Sequence, residues 1–173
     1  GNTIYFKSDR LATSEPLNAN DVFVTHKVDG EWSEPERVPF PISTDAGNEH
    51  CPMLLQDGET LCFASTREGG YGGSDIWCST QGEDGSWQDP VNQGPNINTA
   101  AEEFHFMEDE DGWVYFTSSR PGGQGGLDIW AAEHRRNPHL IAAVKTAPAA
   151  PYRLMIDVLD QLQAAGADRV NLD

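Results

Sequence analysis

A unit of about fifty residues appears twice in close copy and once in part, and this repetition limits the fold more than any other feature of the sequence. Thr60-Leu-Cys-Phe-Ala-Ser-Thr-Arg67, followed by Gly69-Gly70-Tyr71-Gly72-Gly73-Ser74-Asp75-Ile76-Trp77, returns 53 residues later. The second copy reads Val114-Tyr-Phe-Thr-Ser-Ser-Arg120, then Gly122-Gly123-Gln124-Gly125-Gly126-Leu127-Asp128-Ile129-Trp130. A looser copy lies upstream, Ile4-Tyr5-Phe6-Lys7-Ser8-Asp9-Arg10 and then Asp21-Val22-Phe23. Three shorter matches keep the same order: Asp29-Gly30-Glu31-Trp32 with Asp84-Gly85-Ser86-Trp87, Ile42-Ser43-Thr44 with Ile97-Asn98-Thr99, and Asp57-Gly58 with Asp111-Gly112. Units this small bury their apolar faces by stacking on one another, so the chain reads as an array.

Each unit reads as four short strands. Glu49 to Leu55 is the first, Asp57-Gly58 is a hairpin turn, and Thr60 to Ser65 returns antiparallel. The Gly-rich loop leads to a third strand, Asp75-Ile76-Trp77-Cys78, and Asp84-Gly85 turns the chain into a fourth around Trp87. Seventeen Gly and eleven Pro suit so many turns. Four strands per unit predict a mainly β fold, a partial β-propeller of about two and a half blades over residues 1–133. The last copy lacks a Gly-x-Trp strand after Trp130.

Charge divides the chain. Residues 1–133 hold 24 acidic and 6 basic side chains, a balance of −18, whereas residues 134–173 hold 4 and 5, a balance of +1. The acidic part repels phosphates, which argues against nucleic acid and anionic lipid as partners. Cys51, Cys62 and Cys78 fall in one unit, and their counterparts are His105, Tyr115 and Ala131. A strand-core role is expected for them rather than a disulfide framework. No apolar run approaches the ~18 residues of a membrane span. With Gly1 directly before a strand-like segment, the sequence reads as an internal piece of a longer protein.

Residues 134–139 read as a polar linker, and residues 140–173 change rhythm. Leu140 to Val144 is an apolar run of strand length. Leu154, Met155, Val158, Leu159, Leu162 and Ala165 then recur at helical spacing, Gly166 stops the helix, and Val170 and Leu172 suggest a closing strand. The expectation is a β-α-β segment.

The pattern Asp-Gly-x-x-Leu-x-Phe-x-Ser-x-Arg-x-Gly-Gly-x-Gly-Gly-x-Asp-Ile-Trp over residues 57–77 resembles the TolB-type (WD-like) propeller repeat. That repeat occurs in TolB and in envelope proteins carrying OmpA-type peptidoglycan-binding domains. The resemblance covers residues 3–133, although in the first copy Leu11 to Asn20 replaces the Gly-Gly loop. Pro151-Tyr152, Ile156 to Asp160 and Ala164 to Leu172 resemble the end of an ExbD/TolR periplasmic domain. The membrane helix of that family, with its proton-coupling Asp, is not in this sequence, so no carboxylate here inherits that role. Together the resemblances imply a cell-envelope binding or scaffold module in the periplasm of a Gram-negative bacterium. Its partner would be an envelope protein, peptidoglycan-associated in one version, within a Tol/Ton-type transport system. Membrane attachment, including any inner-membrane anchor, would come only from other parts of the parent protein.

The candidate binding residues are Arg10, Arg67 and Arg120 before the loop, Asp75 and Asp128 after it, and Trp77 and Trp130 on the next strand. A guanidinium fork can tie down a loop whose glycines offer no side chains, and it can equally contact a ligand at one mouth of a propeller. Both roles stay open at this point. An alternative is a carbohydrate-active propeller enzyme, a glycoside hydrolase with two carboxylates flanking one bond. Against it, Asp57, Asp75, Asp84, Asp111 and Asp128 recur at fixed positions, as bracing residues do, whereas a catalytic residue is needed once. Glu108 to Gly112 lacks the alternating ligands of a calcium loop, and the five His lack the paired spacing of a zinc site. No catalytic residue, metal site or cofactor is therefore expected, and the chain reads as a binding module rather than an enzyme.

Overall fold

The computed structural model describes residues 1–9, 20–45, 47–110, 112–133 and 141–144. The chain is mainly β: the described residues form twelve strands and no helix. The first sheet holds β1 (Thr3–Ser8), β2 (Asp21–Val28), β3 (Glu31–Trp32) and β4 (Glu36–Arg37), with β3 and β4 both against β2. The second runs β5 (Glu49–Leu54), β6 (Thr60–Ser65), β7 (Asp75–Thr80), β8 (Val91–Asn92) in chain order. The third runs β9 (Glu103–Glu108), β10 (Trp113–Ser118), β11 (Asp128–Glu133), β12 (Ile141–Val144). All pairings are antiparallel.

The three sheets stack in series, and period-two alternation explains how. In β6 both faces are apolar. Leu61 and Phe63, with Trp77 of β7 beside them, turn to the first sheet, where they pack with Val22, Val38 and Ile42. Cys62 and Ala64 turn to the third, where they meet Phe106, Val114, Phe116 and Trp130. Burying a side chain such as Phe63 contributes about 2–3 kcal/mol. The middle sheet thus gains from both neighbours.

Polar contacts repeat at each junction. The Glu49 amide donates to the Asn20 carbonyl at 2.8 Å, and the Glu103 amide donates to the Ser74 carbonyl at 2.8 Å. Asn20 and Ser74 each precede the Asp that opens the third strand of their unit. The connections between sheets dock likewise: the Ser43 hydroxyl binds the Val22 backbone, and Asn98 brackets Ile76 with two bonds, at 2.7 and 2.9 Å.

Turn chemistry accounts for the hairpins. Gly58 and Gly85 have φ of +73° and +79°, which a side chain resists. The Asp57 carboxylate holds the amides of Glu59 and Thr60 across the first turn. β5 and β9 each carry a bulge, where Cys51 and His105 reach φ of 47° and 54°.

Three expectations change. The fourth strand of the second sheet is not around Trp87: that residue makes one isolated bridge to Gln81, and the ladder resumes at Val91. The turn through Gly82 to Ser86 uses the intervening residues for its own closure. Cys62 and Cys78 do lie in the strand core, but they are also joined as a disulfide between directly opposed positions of β6 and β7. Cys51 stays a free thiol. Finally, the apolar run at Ile141–Val144 pairs with β11, so the third sheet has a fourth strand without a Gly-x-Trp motif. The linker, the helix and the closing strand expected further on lie outside the described residues.

Candidate functional site

The repeated Arg, Asp and Trp residues separate into two structures at one end of the sheets. The first is built around a buried glutamate. β6 ends at Ser65, whose hydroxyl donates to Glu49 Oε1 at 2.9 Å and accepts from both the amide and Nε of Arg67, at 3.1 Å each. The Arg67 guanidinium then donates to the carbonyls of Pro41 and Ile42 in the preceding connection and to Glu49 at 3.4 Å. Thr44 adds its amide and hydroxyl to the same carboxylate, at 3.1 Å each. Glu49 has no exposed surface.

The third sheet repeats this arrangement. Glu103, also fully buried, accepts from Thr99 (2.9 Å from the amide, 2.7 Å from the hydroxyl) and from the Ser118 hydroxyl at 2.6 Å. Arg120 donates to Ser118 at 3.0 Å, to the Ile97 carbonyl, and to Glu103 at 3.3 Å. Both guanidinium groups lie over aromatic rings: Arg67 is 4.8 Å from Phe63 and 5.6 Å from Trp77, and Arg120 is 4.9 Å from Phe116 and 5.0 Å from Trp130. Burial pushes both arginines below the usual guanidinium range, and the glutamates oppose that shift. Removing two charges from water costs several kcal/mol per ion, which these directed hydrogen bonds offset.

The second structure is the Gly-rich loop, which an aspartate closes from inside. Asp75 accepts from the amides of Tyr71 and Gly72 and from Asn92 Nδ2 at 2.9 Å. Asp128 accepts from the Gly125 amide with both oxygens, at 3.2 and 3.1 Å. A Cβ on Gly70 or Gly123 would collide with these carboxylates, and one on Gly72 would strike the backbone of residues 99–101. Gly73 donates to the Ala101 carbonyl at 3.2 Å, so the loop of one unit lies against the connection to the next.

Sequence alone leaves both loop bracing and ligand contact open for the arginines, and the hydrogen bonds of Arg67 and Arg120 go instead to the connection before their own sheet. The aspartates brace the loops; the arginines hold the connection that precedes their own sheet. Trp77 and Trp130 are buried under the guanidinium groups, and among the described residues neither indole Nε1 has a hydrogen-bond partner. Arg10 lies outside the described residues. In the first sheet Asp21 takes the place of Asp75, and Arg37 donates to it at 2.8 Å as Asn92 does to Asp75. That contact is the main reason the Arg37 guanidinium is held above its usual range.

Sequence reasoning missed Glu49, Glu103, Ser65, Ser118, Thr44 and Thr99. The signal was present, because Thr, Glu, Ser and Arg recur in that order in both copies. A buried glutamate simply reads as a strand-opening surface residue until its partners are known.

Chemically, the two glutamates are shut off from solution and saturated by donors of this chain. What the loops leave outside is different in kind. Phe40 is 75% exposed, Tyr71 51% and Leu127 51%. Phe40 adjoins the Pro41 carbonyl that Arg67 grips, and Tyr71 and Leu127 belong to the two braced loops. Apolar side chains are therefore carried on backbone fixed from beneath. Among the described residues no group of His, Cys, Asp and Glu is placed to hold a metal ion.

No protein-family model matches the chain, and no curated protein matches it. Among solved structures, the α-L-arabinofuranosidase from Lactobacillus brevis is similar, with 13% sequence identity and a TM-score of 0.49. The similarity covers 83% of this chain and 50% of that one, so the chain spans half the length of that enzyme.

Proposed function

We propose that the three sheets are consecutive blades of a TolB-like β-propeller, and that the chain is a binding module of the bacterial cell envelope rather than an enzyme. The observation that carries the reading is the pair of matching ties, Glu49–Ser65–Arg67 and Glu103–Ser118–Arg120. They hold the connections, and Asp75 and Asp128 hold the loops, at one end of the stack. A rigid end that displays Phe40, Tyr71 and Leu127 suits protein recognition, where large apolar side chains on fixed backbone lose little entropy on binding. The Cys62–Cys78 disulfide favours an oxidising compartment such as the periplasm. The sequence resemblance to TolB repeats and to the ExbD/TolR periplasmic domain supports an envelope partner, protein or peptidoglycan-associated.

The test joins binding to turnover. The purified chain is sedimented with peptidoglycan sacculi, bare and carrying their bound envelope proteins, and is assayed for sugar release on a glycan panel. Expected are cosedimentation that a Phe40→Ser/Tyr71→Ser variant loses, and no released sugar. Hydrolysis abolished by Asp75→Asn or Asp128→Asn alone would replace this reading with the glycoside hydrolase.

A further inference from the structure

The two ends of the stack treat their exposed aromatic rings differently. At the β2–β3 turn, opposite the braced loops, Trp32 is exposed and Lys27 stands over its ring at 5.9 Å. At the end with the braced loops, Phe40 and Tyr71 are exposed, and no cation of the described residues lies over either ring. The arginines there are turned inward, Arg37 to Asp21, Arg67 to Glu49 and Arg120 to Glu103. Lys7 exerts its charge on His50 and Cys51 of β5. Carboxylates are what remain outside. In the described loops and connections of this end, the exposed charged residues are all acidic: Asp9, Asp45, Glu68 and Glu102.

Three of these border the apolar side chains. Asp45 lies on the same connection as Phe40 and is almost fully exposed, 3.7 Å from Arg37. Glu68 directly follows the arginine that grips the Pro41 and Ile42 carbonyls. Glu102 lies against the loop of Tyr71, since a Cβ on Gly73 would stand 3.5 Å from its Oε1. We propose that the partner bound at this end is a basic polypeptide segment in which lysine or arginine alternates with apolar residues. Its apolar side chains pack on Phe40, Tyr71 and Leu127, and its cations meet the surrounding carboxylates and the faces of the two rings. An aromatic face with no cation of its own attracts one, and carboxylates around an apolar centre select a partner by charge and speed the encounter. The assignment rests on the binding-module reading of the same end.

The probe is a labelled peptide, Lys-Leu-Lys-Phe-Lys-Leu, mixed with the whole chain in about 50 mM NaCl, where surface charges are only partly screened. Saturable binding is expected. A Glu68→Lys/Glu102→Lys chain should associate at least about tenfold more slowly, whereas Glu31→Lys/Glu83→Lys, the same change of net charge at the opposite end, should cost less than about twofold. Phe40→Ser/Tyr71→Ser should instead speed dissociation about tenfold. All these side chains are exposed, which keeps the fold, and the peptide comparisons need no variant at all. Equal losses in the two charge-reversed chains would overturn the proposal, because net charge alone would then govern binding. No saturation below about 1 mM, or displacement of the peptide by muropeptides, would overturn it too. If Glu-Leu-Glu-Phe-Glu-Leu binds as tightly as the basic peptide, the choice of a basic partner falls and the binding module stands. If Phe40→Ser/Tyr71→Ser changes nothing, both fall.

Discussion

Removing the carboxylate of Glu103 leaves the Arg120 guanidinium buried against Phe116 and Trp130 with its ion partner gone. Glu103→Ala should therefore cost about 3–5 kcal/mol in urea unfolding, the range for orphaning one member of a buried pair. The double variant Glu103→Leu/Arg120→Met should lose less than Glu103→Leu alone, since no unpaired charge remains. Equal losses would mean that packing, not charge, sets the cost. The loop glycines give a second residue-scale contrast. Gly70→Ala places a methyl group on the Asp75 carboxylate and should cost about 1–3 kcal/mol, whereas Gly126→Ala meets open space and should stay within about 0.5 kcal/mol. Thermal melts of the two variants would separate them.

Among the elements, β6 has most to lose, being buried on both faces and linked to β7 by the disulfide. A crosslink closing a loop of this length stabilises by about 3 kcal/mol, chiefly through the unfolded chain. Reduction should lower the unfolding midpoint accordingly, and a Cys62→Ala/Cys78→Ala chain should no longer respond to reductant. That bond shows where sequence reading stops. The strands holding Cys62 and Cys78 were legible from alternation and turn residues. Their pairing was not, because a slip of one residue sends the two thiols to opposite faces of the sheet. The Trp87 strand failed for a related reason: an aromatic beside a hairpin turn looks like strand, yet the turn claims its neighbours. Glu49 was hidden differently, as a charge whose burial only the folded partners make tolerable.

For the whole molecule, 24 acidic against 6 basic side chains over residues 1–133 means that folding gathers like charges. Salt should relieve this repulsion. The unfolding midpoint is expected to rise between about 20 and about 200 mM NaCl, as the screening length falls below the spacing of surface carboxylates. A midpoint that falls with salt would show that the internal ion pairs dominate instead. The stacked arrangement itself follows from the repeat, since strands apolar on both faces need a neighbour on each side. The ties between neighbours bear on how such a chain can be lengthened or shortened over evolutionary time. Each set, from the gripped carbonyls of Ile42 or Ile97 to the arginine at 67 or 120, lies within one continuous stretch of chain. A tandem duplication or deletion of a whole unit copies or removes donor, acceptor and counter-ion together. The array can change its number of members by unequal crossing-over without stranding a buried charge.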